Sequence, residues 1–486
     1  MRVLRQLALF VVYGALGALL ALTVAYIAYL QTRPELKPWH RAVLDAEFRA
    51  DDAARVRTLD EYRALEARLA AQLREQVYSQ VEPSDRSPIN RYTAGSRSDP
   101  AVRHPDWNYT FELPAADPRG GVLLVHGLSD SPYSMRALAE RLHAEGYWAV
   151  GLRLPGHGTA PAALTRARWP DWAAAVRIGA RHLRERIGAE RPLYIVGYST
   201  GAALGVEYAL ARLAGETLPR VDGLVLLSPA IGVSPAAVLA SWQARMGAIP
   251  GFEKLAWASL GPEYDPYKYT SFAVNAGAQI YALTREIATR IAALDAGDGV
   301  QGMPRVLAFQ SAADATVSPE ALVRGFLRRL APQGHELVVF DINRDAMAET
   351  LLVPAAGAGV QRLLAAGPLP FALTVVTNRD PQTYEVVARR RGARSLELAS
   401  EPTGLEWPRG VFSLSHLALP ISPADPLYGA TRPEPPAGIY LGRPALLGER
   451  ELLAVPDSDL VRLRFNPFFS YLEQRVVEFA RAAPAP

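Results

Sequence analysis

The chain has 486 residues, 49% of them apolar and 21% charged, and a net charge of +3. That describes a folded protein with core enough for one large domain or two ordinary ones. Lysine occurs only at Lys37, Lys254 and Lys268, and no dense basic stripe supports nucleic-acid binding. Cysteine is absent, which excludes thiol catalysis, disulfides and cysteine-ligated zinc. Richness in arginine and alanine beside so few lysines points to a GC-rich, bacterial coding sequence.

Arg2 and Arg5 precede an uncharged run from Gln6 to Thr32 that is apolar from Leu7 to Leu30. At helical rise such a run can cross a ~30 Å hydrocarbon core. Thr23-Val24-Ala25 is a poor cleavage exit with more apolar residues beyond it, so residues 1–31 read as an uncleaved anchor rather than a signal peptide. Arg2 and Arg5 nearly balance Arg33, Lys37 and Arg41 across the span. The signal-like start favours a single-pass protein of the bacterial inner membrane with its bulk in the periplasm. Residues 32–106 read as a helical connector. Leu59–Val81 has apolar residues at helical spacing among many charges. The polar stretch SDRSPINRYTAGSRSDP after it reads as a mobile linker or an arm lying across the main domain.

From about residue 107 the rhythm becomes strand, turn, helix. Strands are predicted at Tyr109–Leu113, Gly121–Val125, Trp148–Leu152, Leu193–Val196, Gly223–Leu227 and Arg305–Phe309. Helices are predicted at Met135–Glu145 and Trp169–Ile187. Later runs at Glu336–Ile342, Phe371–Thr377 and VFSLS before His416 also read as strands. Apolar strands alternating with helices imply an α/β protein whose mostly parallel sheet is covered on both faces. Ligands then bind at the carboxyl ends of the strands.

Residues 193–205 read LYIVGYSTGAALG. Gly-x-Ser-x-Gly alone is weak, since glycine and serine are common everywhere. Here an apolar strand precedes Ser199 and a small-residue helix follows, the context of a nucleophile elbow that lifts a hydroxyl clear of the sheet. In GVLLVHGL, His126-Gly127-Leu128 lies at another strand's carboxyl end. The backbone N–H groups of Leu128 and Thr200 could form an oxyanion hole there. The side chain of His126 reads as structural, and His157 in LRLPGHG as loop-shaping. Asp314 follows the strand in RVLAFQSAADATV and precedes a helix, as an orienting acid would, although aspartate is also common at helix caps. Only His335 and His416 lie downstream of it. His335 precedes a strand, at the wrong end of the sheet. His416 follows one and suits the role of base.

These motifs, HGLSDSPYSM at 126–135, LRLPGHG at 152–158, WPDW at 169–172, GYSTG at 197–201 and SAADATV at 311–317, resemble those of α/β-hydrolases over residues 107–482. The resemblance is greatest to the monoacylglycerol lipase and carboxylesterase group of serine hydrolases. It implies a nucleophile, acid and base in the order Ser199, Asp314, His416, and an acyl-enzyme. The sequence has no HExxH or P-loop motif, so no metal or nucleotide cofactor is expected. One departure stands out: after the strand at 336–342 the family places its base, whereas this chain has Asn343-Arg344-Asp345 and an insertion over about 343–410. An aromatic-rich segment over about 232–300 falls where related hydrolases carry a cap, and implies an apolar acyl or aryl pocket if its aromatics are not simply core. The expected function is a membrane-anchored serine hydrolase of small hydrophobic carboxylic esters. The alternatives are a serine peptidase or amidase, or a non-catalytic binding protein of the same fold.

Overall fold

A computed structural model describes residues 2–232, 243, 247, 249–345, 358–434, 438–442 and 462–482. Part of the predicted cap, 233–242, 244–246 and 248, and part of the predicted insertion, 346–357, therefore lie outside the described residues. The first element is one helix, α1 (Arg2–Thr32). Its segment Arg5–Tyr29 has a mean hydropathy of 2.4 and no burial, which makes it a candidate membrane span by length and composition.

Residues 33–105 lie against the main domain. Arg33, just past α1, donates to the carbonyls of Lys254 (3.1 Å), Trp257 (2.7 Å) and Ala258 (3.2 Å), and Lys254 Nζ returns a bond to Arg33 O (2.8 Å). After the single turn of α2 (Pro38–Arg41) comes α3 (Leu59–Gln76). Thr58 and Glu61 satisfy each other's backbone N–H groups at its start, a capping box. Leu59, Tyr62, Leu65, Leu69 and Leu73 recur at helical spacing and form its buried face. Glu66 lies on the same face, where Arg153 meets it at 3.0 Å and Glu47 at 2.7 Å. Thr110 adds two bonds to the Glu66 carboxylate. A buried charge without such partners would cost several kcal/mol. The polar stretch 84–100 also packs inward, with Arg91, Tyr92 and Ser98 buried.

The main sheet has ten strands: β1 (Phe111–Leu113), β2 (Gly121–Val125), β3 (Trp148–Leu152), β4 (Leu193–Tyr198), β5 (Gly223–Leu227), β8 (Arg305–Ser311), β9 (Glu336–Phe340), β10 (Ala372–Asn378), β11 (Glu385–Arg391) and β12 (Ala399–Glu406). A separate antiparallel pair joins β6 (Trp257–Ser259) to β7 (Phe272–Ala273). The order across the large sheet is β1-β3-β2-β4-β5-β8-β9-β10-β11-β12. Strands β3 to β10 run parallel, while β1 and the β11–β12 pair are antiparallel at the two edges. Full burial of β2, β4 and β5 explains their unbroken apolar runs.

Helices cover both faces. One face carries α5 (Trp169–Ile187), α6 (Thr200–Leu213) and the helix Val274–Leu294, the other α4 (Arg136–Ala144) and the C-terminal helix Phe469–Arg481. Among the aromatics of the predicted cap, Trp257 packs on His40, Tyr267 stacks on Tyr133 with ring centroids 4.0 Å apart, and Tyr269 accepts from Thr159 N–H. These three rings are packing elements. The run VFSLS at 411–415, expected as a strand, is irregular. The hairpin β11–β12 was not foreseen.

Four buried histidines are held neutral. Burial pushes His40 and His157 down to about 3, His335 to about 4, and His126 well below the ordinary imidazole value. A group depressed in the folded state contributes stability that is present above its unfolded value, near 6.5, and is lost as the pH falls. At pH 5 the loss is about 2 kcal/mol for each ring that stays neutral. The melting temperature should therefore drop between pH 7 and pH 5. His335→Asn should lower the proton uptake on denaturant unfolding at pH 5 by close to one.

Candidate active site

Strand β4 enters α6 through a single residue, Ser199, whose φ of 53° is left-handed. A serine in that region is strained, and the surroundings hold it there. Its N–H donates to Leu227 O (2.8 Å), and its carbonyl accepts from Ala203 (3.1 Å) and Ala230 (3.0 Å). The flanking glycines answer to close approach. A Cβ on Gly201 would collide with the Val125 carbonyl, and one on Gly197 with the backbone of Gly201 and Ala202. The start of α6 thus crosses the ends of β2 and β4 at backbone contact, and the serine is left at the helix N-terminus.

Thr200 opens α6, so its N–H has no carbonyl one turn back. The Leu128 N–H donates to no group among the described residues. Gly127 beside it lies against Tyr198 and the Ser199 Cβ, with its own Cβ position 3.3 Å from the latter. His126 shapes this turn: its Nδ1 meets Gly127 O at 2.8 Å and its Nε2 accepts from Leu154 N–H at 3.0 Å. The second bond fixes the proton on Nδ1. His157 likewise meets Pro155 O at 3.0 Å and packs on His126 and Trp172.

Asp314 lies three residues beyond β8. Its Oδ1 accepts from Thr316 and Val317 N–H at 2.8 and 3.0 Å, and its Oδ2 meets His416 Nδ1 at 2.8 Å. Burial alone would raise its carboxyl. The hydrogen bond and charge of His416, with the two N–H groups, outweigh that and hold it below the ordinary value. The His416 ring packs on Tyr198, the neighbour of Ser199, with centroids 5.2 Å apart, and Tyr198 Oη donates to His416 O at 3.3 Å. The Ser199 hydroxyl makes no hydrogen bond among the described residues. His335 sits at the other end of the sheet, where its Nδ1 accepts from Val306 N–H at the start of β8.

How His416 arrives is the part the sequence did not disclose. After β9 the chain leaves for β10, β11 and β12, then returns along the carboxyl edge. Asn343 stands where the resemblance places a base. Its N–H donates to Phe412 O and its Nδ2 to Val411 O, both at 2.9 Å. Ser311 Oγ donates to Leu414 O at 2.7 Å. These three bonds hold residues 411–414, and His416 follows at the start of a 3₁₀ turn capped by Ser415. Gln310 is a second unforeseen partner. Its Nε2 donates to Asp314 Oδ2 at 2.9 Å. A glutamine closing the run VLAF-Q, four residues before Asp314, was the available signal.

A family model described as serine aminopeptidase, S33 (Hydrolase_4) matches residues 116–343, just under half of the chain and ending at Asn343. A thermostable monoacylglycerol lipase from Bacillus sp. (strain H-257) is 35% identical over 113 residues, which are 23% of this chain and 42% of that protein. The chain thus spans less than half the length of that relative. Among solved structures, one reported for the metagenome-derived lipolytic enzymes LipS and LipT is 26% identical, with 44% of this chain and 80% of that one covered and a TM-score of 0.35. A monoacylglycerol lipase from Paleococcus ferrophilus is 20% identical, with 46% and 84% covered and a TM-score of 0.34.

The mostly parallel sheet with a strained serine at its strand–helix corner is an α/β-hydrolase fold. Within that fold the chain is similar to serine hydrolases close to the monoacylglycerol lipase group.

Asn343→Ala should loosen the 411–414 segment, which keeps its bonds at Phe412 and Leu414, and leave the Val411 carbonyl without its partner, at a cost of about 1–3 kcal/mol. Denaturant unfolding should register that loss. Amide exchange at residues 411–416 should quicken, while β4 and β5 stay protected.

Proposed function

We propose that this chain is a membrane-anchored serine hydrolase of hydrophobic carboxylic esters, with Ser199 as nucleophile, His416 as base and Asp314 as the acid that orients it. The observation that carries the reading is the Asp314–His416 pair set against Tyr198, next to a serine held at a helix N-terminus. In the reaction His416 Nε2 takes the hydroxyl proton as Ser199 Oγ attacks the ester carbonyl. The carbonyl oxygen gains the negative charge, which the N–H groups of Leu128 and Thr200 and the positive end of α6 stabilise. Collapse of the tetrahedral adduct breaks the ester C–O bond, and His416 returns the proton to the leaving alcohol. Water then attacks the acyl-enzyme, again giving its proton to His416, and the carboxylic acid leaves while Ser199 regains its hydrogen. Asp314, held ionised by the N–H groups of Thr316 and Val317, balances the imidazolium in both halves.

In this reading residues 1–31 are the anchor, 32–106 a connector bound to the domain, and 107–482 the hydrolase unit, on the periplasmic side of an inner membrane. The relative's description as a monoacylglycerol lipase supports lipid-like esters. The family description as a serine aminopeptidase supports the amide alternative, because the same three residues would serve it.

Hydrolysis of aryl esters of graded chain length, beside a panel of aminoacyl anilides, separates the two. The ester reading expects turnover that rises with acyl length and little on the anilides; the reverse ranking would favour the peptidase. Ser199→Ala should abolish both turnover and labelling by a fluorophosphonate, a loss of roughly 10⁶ at most. His416→Ala should lose nearly as much. His335 stands a strand length away, roughly 17 Å at ~3.3 Å per residue, so His335→Ala should stay within a few-fold. If His335→Ala is the inactive variant, the base is misassigned.

The anchor is tested by fractionation. Full-length protein should stay with membranes through a high-salt wash, and a chain beginning near residue 35 should be soluble and still active. Recovery of the full-length product in the soluble fraction, shortened by about its first 25 residues, would identify the segment as a cleaved signal instead.

A further inference from the structure

Arg91 lies on the arm between the anchor and the hydrolase unit and is 1% exposed. Its guanidinium makes no ion pair among the described residues, and its Nε is buried without a hydrogen-bond partner. A buried charge without a counter-ion is costly to keep. Two aromatic rings and a carbonyl hold it instead. The guanidinium carbon lies 5.4 Å from the centroid of the Tyr92 ring and 5.4 Å from that of Tyr269, and Nη1 donates to Lys268 O at 3.4 Å.

That carbonyl belongs to the same peptide group as the Tyr269 N–H, which donates to Ser129 O at 2.8 Å. Arg91 and Ser129 therefore bond to the two ends of one peptide unit. The loop around it, between β6 and β7, is fastened to the same arm. Arg91 N–H donates to Glu263 O at 2.9 Å, and the Glu263 carboxylate accepts from Thr270 N–H (3.1 Å) and Ser271 N–H (2.9 Å). The Tyr269 ring is set by its hydroxyl, which accepts from Thr159 N–H at 2.7 Å.

The far end of this chain is strained. Ser129 has a left-handed φ of 55°, a conformation unfavourable for serine. Among the described residues, the bond from Tyr269 is the only hydrogen bond made by the backbone groups of residues 128–130. Leu128, whose N–H is read above as an oxyanion donor, immediately precedes Ser129.

We propose that Arg91 is a positioning residue for the Leu128 N–H, holding Ser129 in its left-handed conformation through the peptide group between Lys268 and Tyr269. Without the guanidinium that peptide can turn, Ser129 relaxes toward a negative φ, and the Leu128 N–H loses its fixed place beside Ser199. Arg91 itself touches no reacting atom. The arm that leaves the membrane thereby supports the reaction centre as well as tethering it. What the Leu128 N–H does rests on the serine-hydrolase reading; what holds it does not.

The test is turnover of 4-nitrophenyl butyrate by full-length protein in lipid nanodiscs, beside Arg91→Met. The variant should lose about 10–100-fold in kcat with KM within about two-fold, short of the roughly 10²–10³ that follows outright removal of an oxyanion donor. Ser129→Gly added to Arg91→Met should recover most of that loss, because glycine takes a positive φ without strain. A merely structural role for Arg91 gives no such rescue. Amide exchange at residues 128–131 should also quicken in Arg91→Met while β4 and β5 stay protected, a readout that needs no turnover. Should the methionine variant fold poorly, Arg91→Lys keeps the charge without the planar fork and makes the same comparison. A folded Arg91 variant with kcat within about two-fold of wild type would overturn the assignment, as would a loss that Ser129→Gly leaves unchanged. Turnover that survives Ser199→Ala would sink the serine reading instead. Exchange at 128–131 then decides alone, and an unchanged rate there would overturn the role given to Arg91.

Discussion

The close crossing of α6 over the carboxyl ends of β2 and β4 is the constraint on which the site depends. Helix and strands touch backbone to backbone because residues 197 and 201 lack side chains, and no other residue fits without moving the Val125 carbonyl or the first turn of α6. With the two elements so close, the one residue joining them has to turn through a left-handed conformation. Ser199 accepts that strain, and its backbone bonds to Leu227, Ala203 and Ala230 pin it. The same crossing leaves the Thr200 N–H and the positive end of the helix beside the Ser199 hydroxyl.

Around that fixed point the remaining groups are held by polar bonds made in places shut off from water. Asp314 is set by two backbone N–H groups and the Gln310 amide, His416 by Asp314 and Tyr198, and the loop carrying His416 by Asn343 and Ser311. Each such bond is worth little net but is costly to leave unmade when buried. The chain can therefore insert β10, β11 and β12 between Asp314 and His416 and still return the histidine, because the return path is fastened at residues 411, 412 and 414 rather than by a strand. Asn343 fastens residues 411 and 412, and Ser311 fastens residue 414.

The arm over the domain obeys the same logic. Arg153 closes β3, and its guanidinium is fully buried, so Glu47 and Glu66 must reach it from the N-terminal segment. Removing either carboxylate would leave a buried charge short of a partner. This ties the position of the segment after α1 to the sheet, and Arg33 adds three carbonyl contacts at the point where α1 ends.

The sequence by itself determined the alternation of strands and helices, the place of the elbow and the apolar N-terminal run. Each rests on local chemistry: buried parallel strands need continuous apolar residues, the turn at Ser199 needs glycines, and a long helix without burial needs only a run of apolar side chains. Of the candidate site, Ser199, Asp314 and His416 were legible as residue types at the right ends of their runs. The pairing of Asp314 with His416 was not, because nothing local links two residues 102 apart. Gln310 and Asn343 read as ordinary polar residues until the fold set one beside Asp314 and the other beside Val411. The hairpin β11–β12 escaped notice for a related reason. Arg389-Arg390-Arg391 and Ser400-Glu401-Pro402 show no apolar run, and they become strands by pairing at a sheet edge. Long-range pairing, which no short window of residues contains, decided those parts.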